Sequence, residues 1–385
     1  MSGIYLHIPF CKQACHYCDF HFSTSLAKKD AIIKAIAKEL VLRKEEVSNP
    51  IETIYFGGGT PSLLAIPDLQ FLITTIKENF TVVATPEITL EANPDDLMAV
   101  SPVESSNVSI FEQYRTIGIN RLSIGVQSFF EDDLKMMNRA HNAKEAEKCL
   151  TEATQYFDNI TIDLIYGIPN MSNAKWQRNI ETALSFGVNH ISSYALTVEP
   201  KTALESFIKK GVIDQPKDDV AHEHFQILVD TLTSNGFIHY ELSNFGKPKY
   251  FSKHNTSYWL GKPYVGVGPS AHSFNGKERA WNVANNSQYL KAIEKDELPI
   301  TREILSVNDR FNEYIMTGLR TIYGVSLHKV ATEFGENTHN QLLKSSKNYI
   351  DNGLLEIKNK TLLTTQKGQF LCDGIASDLF LIDLF

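Results

Sequence analysis

In its first half the chain alternates six short β-rich runs with amphipathic helical stretches. The β-rich runs lie at 3–8, 51–56, 87–92, 121–125, 159–164 and 190–195. Helical periodicity follows at 30–47, 69–80, 103–117, 132–138 with 143–155, and 174–186. Such alternation makes the strands parallel, because each crossover helix carries the chain back to the same end of the sheet. The class is therefore α/β. Periodicity does not separate an open doubly wound sheet from a barrel or part-barrel. In either, chemistry gathers at the C-terminal ends of the strands, and residues 57–60, Glu91, Gln127, Asp163 and Ala195 fall there.

Past residue 205 the rhythm changes. A helix over 218–235 precedes a loop-rich stretch of Gly, Pro and aromatic residues, and a mainly helical unit begins near 300. That unit is expected to hold helices at 307–321 and 339–352, a ribbon at 354–357 and 361–364, and a last helix from Lys367. The expected division is thus 1–205, a connecting region 206–300 and a small helical domain 301–385.

A net charge of -8 argues against a general nucleic-acid binder, which needs clustered Lys and Arg to neutralise phosphates. No apolar run reaches the roughly 18 residues of a membrane-spanning helix. The first residues lack the charged and apolar regions of a leader, so a cytoplasmic protein is expected.

Of five cysteines, Cys11, Cys15 and Cys18 fall within eight residues, directly after the first strand. Such crowding suits metal or cluster ligation better than disulfides. Three thiolates from one loop can hold three irons of a [4Fe–4S] cubane and leave the fourth without a protein ligand. A zinc site is the alternative, with His7, His16 or His21 as fourth ligand. Cys149 and Cys372 read as small core or surface residues, and His222 and His224 as surface residues.

The three-cysteine loop resembles the radical S-adenosylmethionine (SAM) signature. Residues 3–20 (GIYLHIPFCKQACHYCDF), 55–62 (YFGGGTPS), 90–95 (LEANPD), 119–129 (INRLSIGVQSF) and 162–169 (IDLIYGIP) resemble, in order, the oxygen-independent coproporphyrinogen III oxidase group. The resemblance implies an incomplete parallel (β/α)6 radical SAM barrel with a small, mainly helical C-terminal domain. It implies a cluster on Cys11, Cys15 and Cys18, and an electron donor such as flavodoxin or ferredoxin. It also implies SAM contacts at Tyr5, Tyr17, Gly58, Gly59, Thr60 and Glu91, and a second SAM position at Gln127, Arg139, Asp163 and Ala195.

Two features depart from the oxidases. Phe20 stands where they carry a further cysteine, and the chain reaches Cys11 without their long N-terminal extension. His254-Asn255-x-x-Tyr258-Trp259 resembles instead the signature of the group's heme chaperone branch, HemW. Heme needs an axial donor and a flat apolar wall, and His254, Tyr258 and Trp259 are residues of those types. This resemblance implies heme as ligand, delivery to respiratory heme-protein acceptors, peripheral membrane association through partners, and a homodimer. Oxidative decarboxylation of a porphyrinogen is the alternative. His272 replaces an apolar position of the oxidases beside SAM.

Overall fold

Parallel pairing runs through the centre of the molecule, whose computed structural model describes residues 2–98 and 108–382. β1 (Ser2–Ile8), β2 (Ile51–Gly58), β3 (Val82–Ala92), β4 (Arg121–Gln127), β5 (Ile160–Tyr166) and β6 (His190–Ala195) lie side by side in chain order, each parallel to the next. β4 is buried along its whole length, as strands covered on both faces must be. The crossovers include α1 (Lys29–Leu42), α2 (Ile66–Asn79), α3 (Ile110–Thr116), α4 (Ala143–Tyr156) and α5 (Asn173–Ser185). Ile32, Ile33, Ile36 and Leu40 of α1, and Leu69, Leu72, Ile73 and Ile76 of α2, are buried stripes at helical spacing. Asn142 and Glu145 form a capping box that starts α4. This is the incomplete (β/α)6 barrel expected. The helix expected over 103–117 is seen from Ile110 onward; 103–107 lie outside the described residues.

The part expected to be loop-rich after the helix at 218–235 instead extends the same sheet on both sides. After α6 (Asp218–Ser234), β7 (Ile238–Glu241) and β8 (Asn244–Gly246) form a hairpin, and β8 pairs antiparallel with β6. The short helix α7 (Lys253–Trp259) follows. β9 (Tyr264–Val267) then pairs parallel with β1, and β10 (His272–Phe274), β11 (Glu278–Asn282) and β12 (Ile300–Ile304) continue antiparallel. Among the described residues this sheet has twelve strands.

A buried polar hub ties α1 to the added strands. Glu39 accepts hydrogen bonds from Arg43 (3.1 Å), the Gly268 N–H (2.8 Å), Asn282 (2.8 Å) and Tyr289 (2.6 Å). Arg43 donates in turn to the Gly266 carbonyl (2.6 Å) and to Ser273 (3.0 Å). His224, expected at the surface, is fully buried on α6. Its Nδ1 accepts from the Gly167 N–H at 3.1 Å, and its carbonyl accepts from the Trp176 indole at 2.8 Å. His222 is exposed as expected, and Cys149 and Cys372 are buried.

A second apolar cluster gathers Phe311, Ile315 and Leu319 from α8 (Val307–Leu319), Val330 from α9 (Leu327–Phe334), Leu342 from α10 (Glu336–Asp351), and Ile375 and Leu379 near the C-terminus. The expected ribbon is present as Leu355–Lys358 against Thr361–Thr364. Among the described residues no helix is long and apolar enough to cross a membrane.

Candidate cofactor sites at the two ends of the barrel

The loop after β1 carries Cys11, Cys15 and Cys18 at the C-terminal ends of the strands. Backbone bonds hold it in place: the Cys11 N–H donates to the Ser23 carbonyl (3.1 Å) and the His16 N–H to the Met137 carbonyl (3.1 Å). The three thiols are half-buried and within electrostatic reach of one another. Among the described residues, however, no three His, Cys, Asp or Glu side chains close to single-ion coordination distance. Arg139 donates to Cys15 Sγ at 3.2 Å, and to Asn93 Oδ1 (2.7 Å) and the Gly125 carbonyl (2.9 Å). It also bonds Tyr17, and Thr60 bonds Cys11. Burial pushes the Cys18 thiol up to about 11 and raises that of Cys11, which the Thr60 bond opposes. Such thiols lose their protons on binding metal. Three sulfurs from one loop, backed by a guanidinium and a hydroxyl, are a donor set suited to an iron–sulfur cluster. The three nearby histidines have other partners: His7 with the His21 carbonyl (2.9 Å), His16 with the Met136 carbonyl (2.8 Å) and His21 with Asn286 (2.8 Å).

The turn after β2 clasps the chain leading into Cys11. The Gly59 and Thr60 N–H groups donate to the Ile8 (2.9 Å) and Phe10 (2.7 Å) carbonyls. Gly58 has φ +104, and a Cβ there would lie 2.7 Å from the His7 ring. One on Gly59 would lie 2.5 Å from the Phe10 carbonyl oxygen. Glycine at both positions is thus a requirement of close packing.

Below this mouth, Glu91 accepts from the Tyr55 hydroxyl (2.8 Å) and the Gly58 N–H (3.2 Å). Burial pushes its carboxyl up to about 7, with the Tyr55 bond opposing and Asp163 adding to the rise. Burial likewise pushes Asp163 up to about 7 against the pull of Arg121. Tyr5 stacks on Tyr55 with ring centroids 6.0 Å apart. Gln127 has φ +67 at the point where the β4–β5 register shifts, and Ala195 ends β6. Arg121, unremarked in the sequence, is buried and bonds Thr161. A cation opening the apolar run LSIGV was the available signal.

His254, Asn255, Tyr258 and Trp259 lie at the opposite end, on α7. Glu87, toward the start of the paired stretch of β3, accepts from the Lys253 (3.2 Å) and His254 (3.1 Å) N–H groups. His254 is 1% exposed, with Nδ1 2.7 Å from the Thr53 hydroxyl and Nε2 2.7 Å from the Tyr258 hydroxyl. Its ring stacks on Tyr55 at 4.8 Å. Burial, then the Arg121 charge, push it down to about 3, so the imidazole is neutral. Asn255 bonds the Ser252 cap through its N–H (3.3 Å). Tyr258 and Trp259 are half-buried, and the Arg320 guanidinium lies 5.2 Å from the Trp259 ring.

Residues 5–183 match the Radical SAM superfamily and 305–371 the HemN C-terminal domain. The heme chaperone HemW of Bacillus subtilis (strain 168) is 32% identical over 377 residues, covering 96% of this chain and 97% of that protein. The heme chaperone HemW of Lactococcus lactis subsp. lactis (strain IL1403) is 31% identical over 385 residues, covering 100% and 98%. This chain belongs to the HemW branch of the radical SAM superfamily. It also superposes on the coproporphyrinogen III oxidase HemN of Escherichia coli with a TM-score of 0.82 at 22% identity, over 98% of this chain and 90% of that one, a likeness of fold. Membership in the superfamily implies a [4Fe–4S] cluster and SAM as cofactors. Phe20, in place of the oxidases' further cysteine, is 67% exposed in the cluster loop. His272 is exposed on β10 and stacks on Trp281 at 6.2 Å.

Proposed function

We propose that this protein is a heme chaperone. It binds heme and delivers it to respiratory heme proteins, with its cluster and SAM in a supporting role. The observation that carries the reading is full-length kinship to proteins named heme chaperones, joined to the half-buried Tyr258 and Trp259 that line an open cleft. In this reading Cys11, Cys15 and Cys18 hold the cluster. Tyr5, Tyr17, Gly58, Gly59, Thr60 and Glu91 serve SAM, and Gln127, Arg139, Asp163 and Ala195 a second SAM position. The cluster supplies one-electron chemistry, fed by a reduced flavodoxin or ferredoxin. Arg139 fixes the cluster loop, and Glu91 offers a carboxylate to a cationic ligand. His254, Asn255, Tyr258 and Trp259 serve heme, His254 by holding Tyr258 in place. The protein works in the cytoplasm, reaches membranes through its partners and forms a homodimer.

Hemin added to protein reconstituted without air should give a saturable Soret band, and the heme should pass to an apo-acceptor. His254→Ala should weaken binding. Conversion of coproporphyrinogen III to protoporphyrinogen IX in a parallel assay would replace this reading with the oxidase one.

A further inference from the structure

Arg121, the first residue of β4, is 1% exposed inside the barrel. Its Nη2 donates to the Thr161 hydroxyl on β5. Its Nε has no partner among the described residues, nor does the Thr89 hydroxyl directly opposite on β3. Among the described residues no carboxylate lies within ion-pair distance of this guanidinium. The groups bonded beyond it are neutral: Thr161 meets His190 at 3.0 Å, and His190 meets Tyr240 at 2.7 Å. Burial, then the Arg121 charge, hold that imidazole well below its ordinary value. A buried charge without a counter-ion in contact is costly, so the carboxyls nearby bear on what this one does.

Side chains two residues apart on a strand share a face, about 6.6 Å apart along it. Ser123 therefore stands one inner layer above Arg121, Asp163 one above Thr161, and Glu91 one above Thr89. The carboxyls here differ in their donors. Glu87, one layer below Thr89, is occupied by the two α7 N–H groups. Glu91 receives the Tyr55 hydroxyl and the Gly58 N–H. Asp163 receives no N–H among the described residues; its donors are the Ser123 hydroxyl, at 3.3 and 3.4 Å, and that of Ser192. Facing Asp163 are Glu91, Tyr55, Tyr194, Arg121 and Arg139. Burial keeps both phenols neutral, and Glu91 opposes a second negative charge. Arg139 is committed to Cys15, Asn93 and the Gly125 carbonyl. Of the influences that favour the Asp163 carboxylate, that of Arg121 is the largest.

We infer that Arg121 is a positioning residue for SAM: from one layer below, its charge holds Asp163, and more weakly Glu91, ionised to receive the ligand's sulfonium and ammonium. The separation is part of the role. A guanidinium in direct contact would neutralise the carboxylates and occupy their oxygens. Held at Thr161, it favours their ionisation and leaves those oxygens free for the ligand. The proton that each carboxyl gives up passes to solvent. The inference rests on the reading that Glu91 and Asp163 serve SAM.

Calorimetric SAM titration of the full-length, cluster-loaded protein from pH 6 to 9 tests it, with the thermal midpoint as a control on folding. Arg121→Met removes the charge and leaves no stranded donor. It should move the midpoint of the rise in affinity up by about one pH unit. Binding should then be about tenfold weaker than wild type at pH 6 and equal to it by pH 9. Arg121→Lys, which keeps the charge, should follow the wild-type profile. If Arg121→Met fails to fold, Arg121→Gln, which keeps a donor for Thr161, takes its place. A loss of affinity equal at every pH marks a structural role and overturns the inference, as does a charge-free variant whose profile matches wild type. Both leave the SAM reading of Glu91 and Asp163 standing. Wild-type affinity indifferent to pH overturns that reading, and the inference with it.

Discussion

A carboxyl group sealed inside a barrel is a poor acid until a cation joins it. Glu91, pushed up to about 7 by burial, is neutral in much of the protein below that pH and ionised above it. A ligand bearing an ammonium and a sulfonium, as SAM does, binds the ionised form. SAM affinity measured calorimetrically should therefore rise as pH climbs through about 7. Glu91→Gln should flatten that rise and weaken binding about tenfold on the alkaline side, where one unit of pKa is a factor of ten. Single residues were unevenly legible in the sequence. Glu91 and Asp163 could be placed because strand ends in a parallel sheet point at ligands. The burial of His224 could not, since its partners, Gly167 and Trp176, lie about fifty residues away. Nor could the commitment of both His254 nitrogens, one of which goes to Thr53 on β2.

At the level of elements, the turn after β2 and the loop after β1 form one construction, because backbone bonds join them. Gly59→Ala would set a methyl group 2.5 Å from the Phe10 carbonyl oxygen and 2.8 Å from that of Ile8. Neither oxygen is at the end of a flexible side chain. The substitution should cost about 1–3 kcal/mol in denaturant unfolding. It should also lower the iron and acid-labile sulfide retained after anaerobic reconstitution, because the displaced segment leads straight into Cys11. Elements were legible where they were long and apolar. β1, β2 and β5 are mostly apolar (SGIYLHI, IETIYFGG, ITIDLIY), whereas β8 is three residues long and β12 (ITREI) is mostly exposed. Charges such as Arg302 and Glu303 suit an edge strand, but in a sequence they read as loop.

Across the whole molecule, buried polar groups decide how stability follows pH. Burial lowers His7 and His141 to about 4 and His254 to about 3, and holds His190 well below its ordinary value. In the unfolded chain a histidine takes its proton near 6.5. As pH falls below about 6.5, the unfolded state binds protons that the native state refuses, and stability drops. His224, His239 and His272 are lowered as well; Glu91, Asp163, Asp96 and Glu241, with raised values, act in the opposite direction, but seven histidines oppose four carboxyls. The thermal midpoint of cluster-free protein should be level near neutrality and fall steadily from about pH 6.5 toward 4; a midpoint rising over that range would contradict the account. The Glu39–Arg43 hub bears on stability at neutral pH. Glu39 is fully buried; Glu39→Ala leaves Arg43 with Glu46 as its carboxylate partner but takes the acceptor from the Gly268 N–H and the Tyr289 hydroxyl, and should cost about 3 kcal/mol in urea unfolding.

The floor of the barrel has one more consequence. His254, Thr53 and Tyr55 fill that end with side chains bonded to or stacked on one another. Because one imidazole is bonded to Tyr258 on one side and to Thr53 on the other, a displacement of α7 is transmitted to β2.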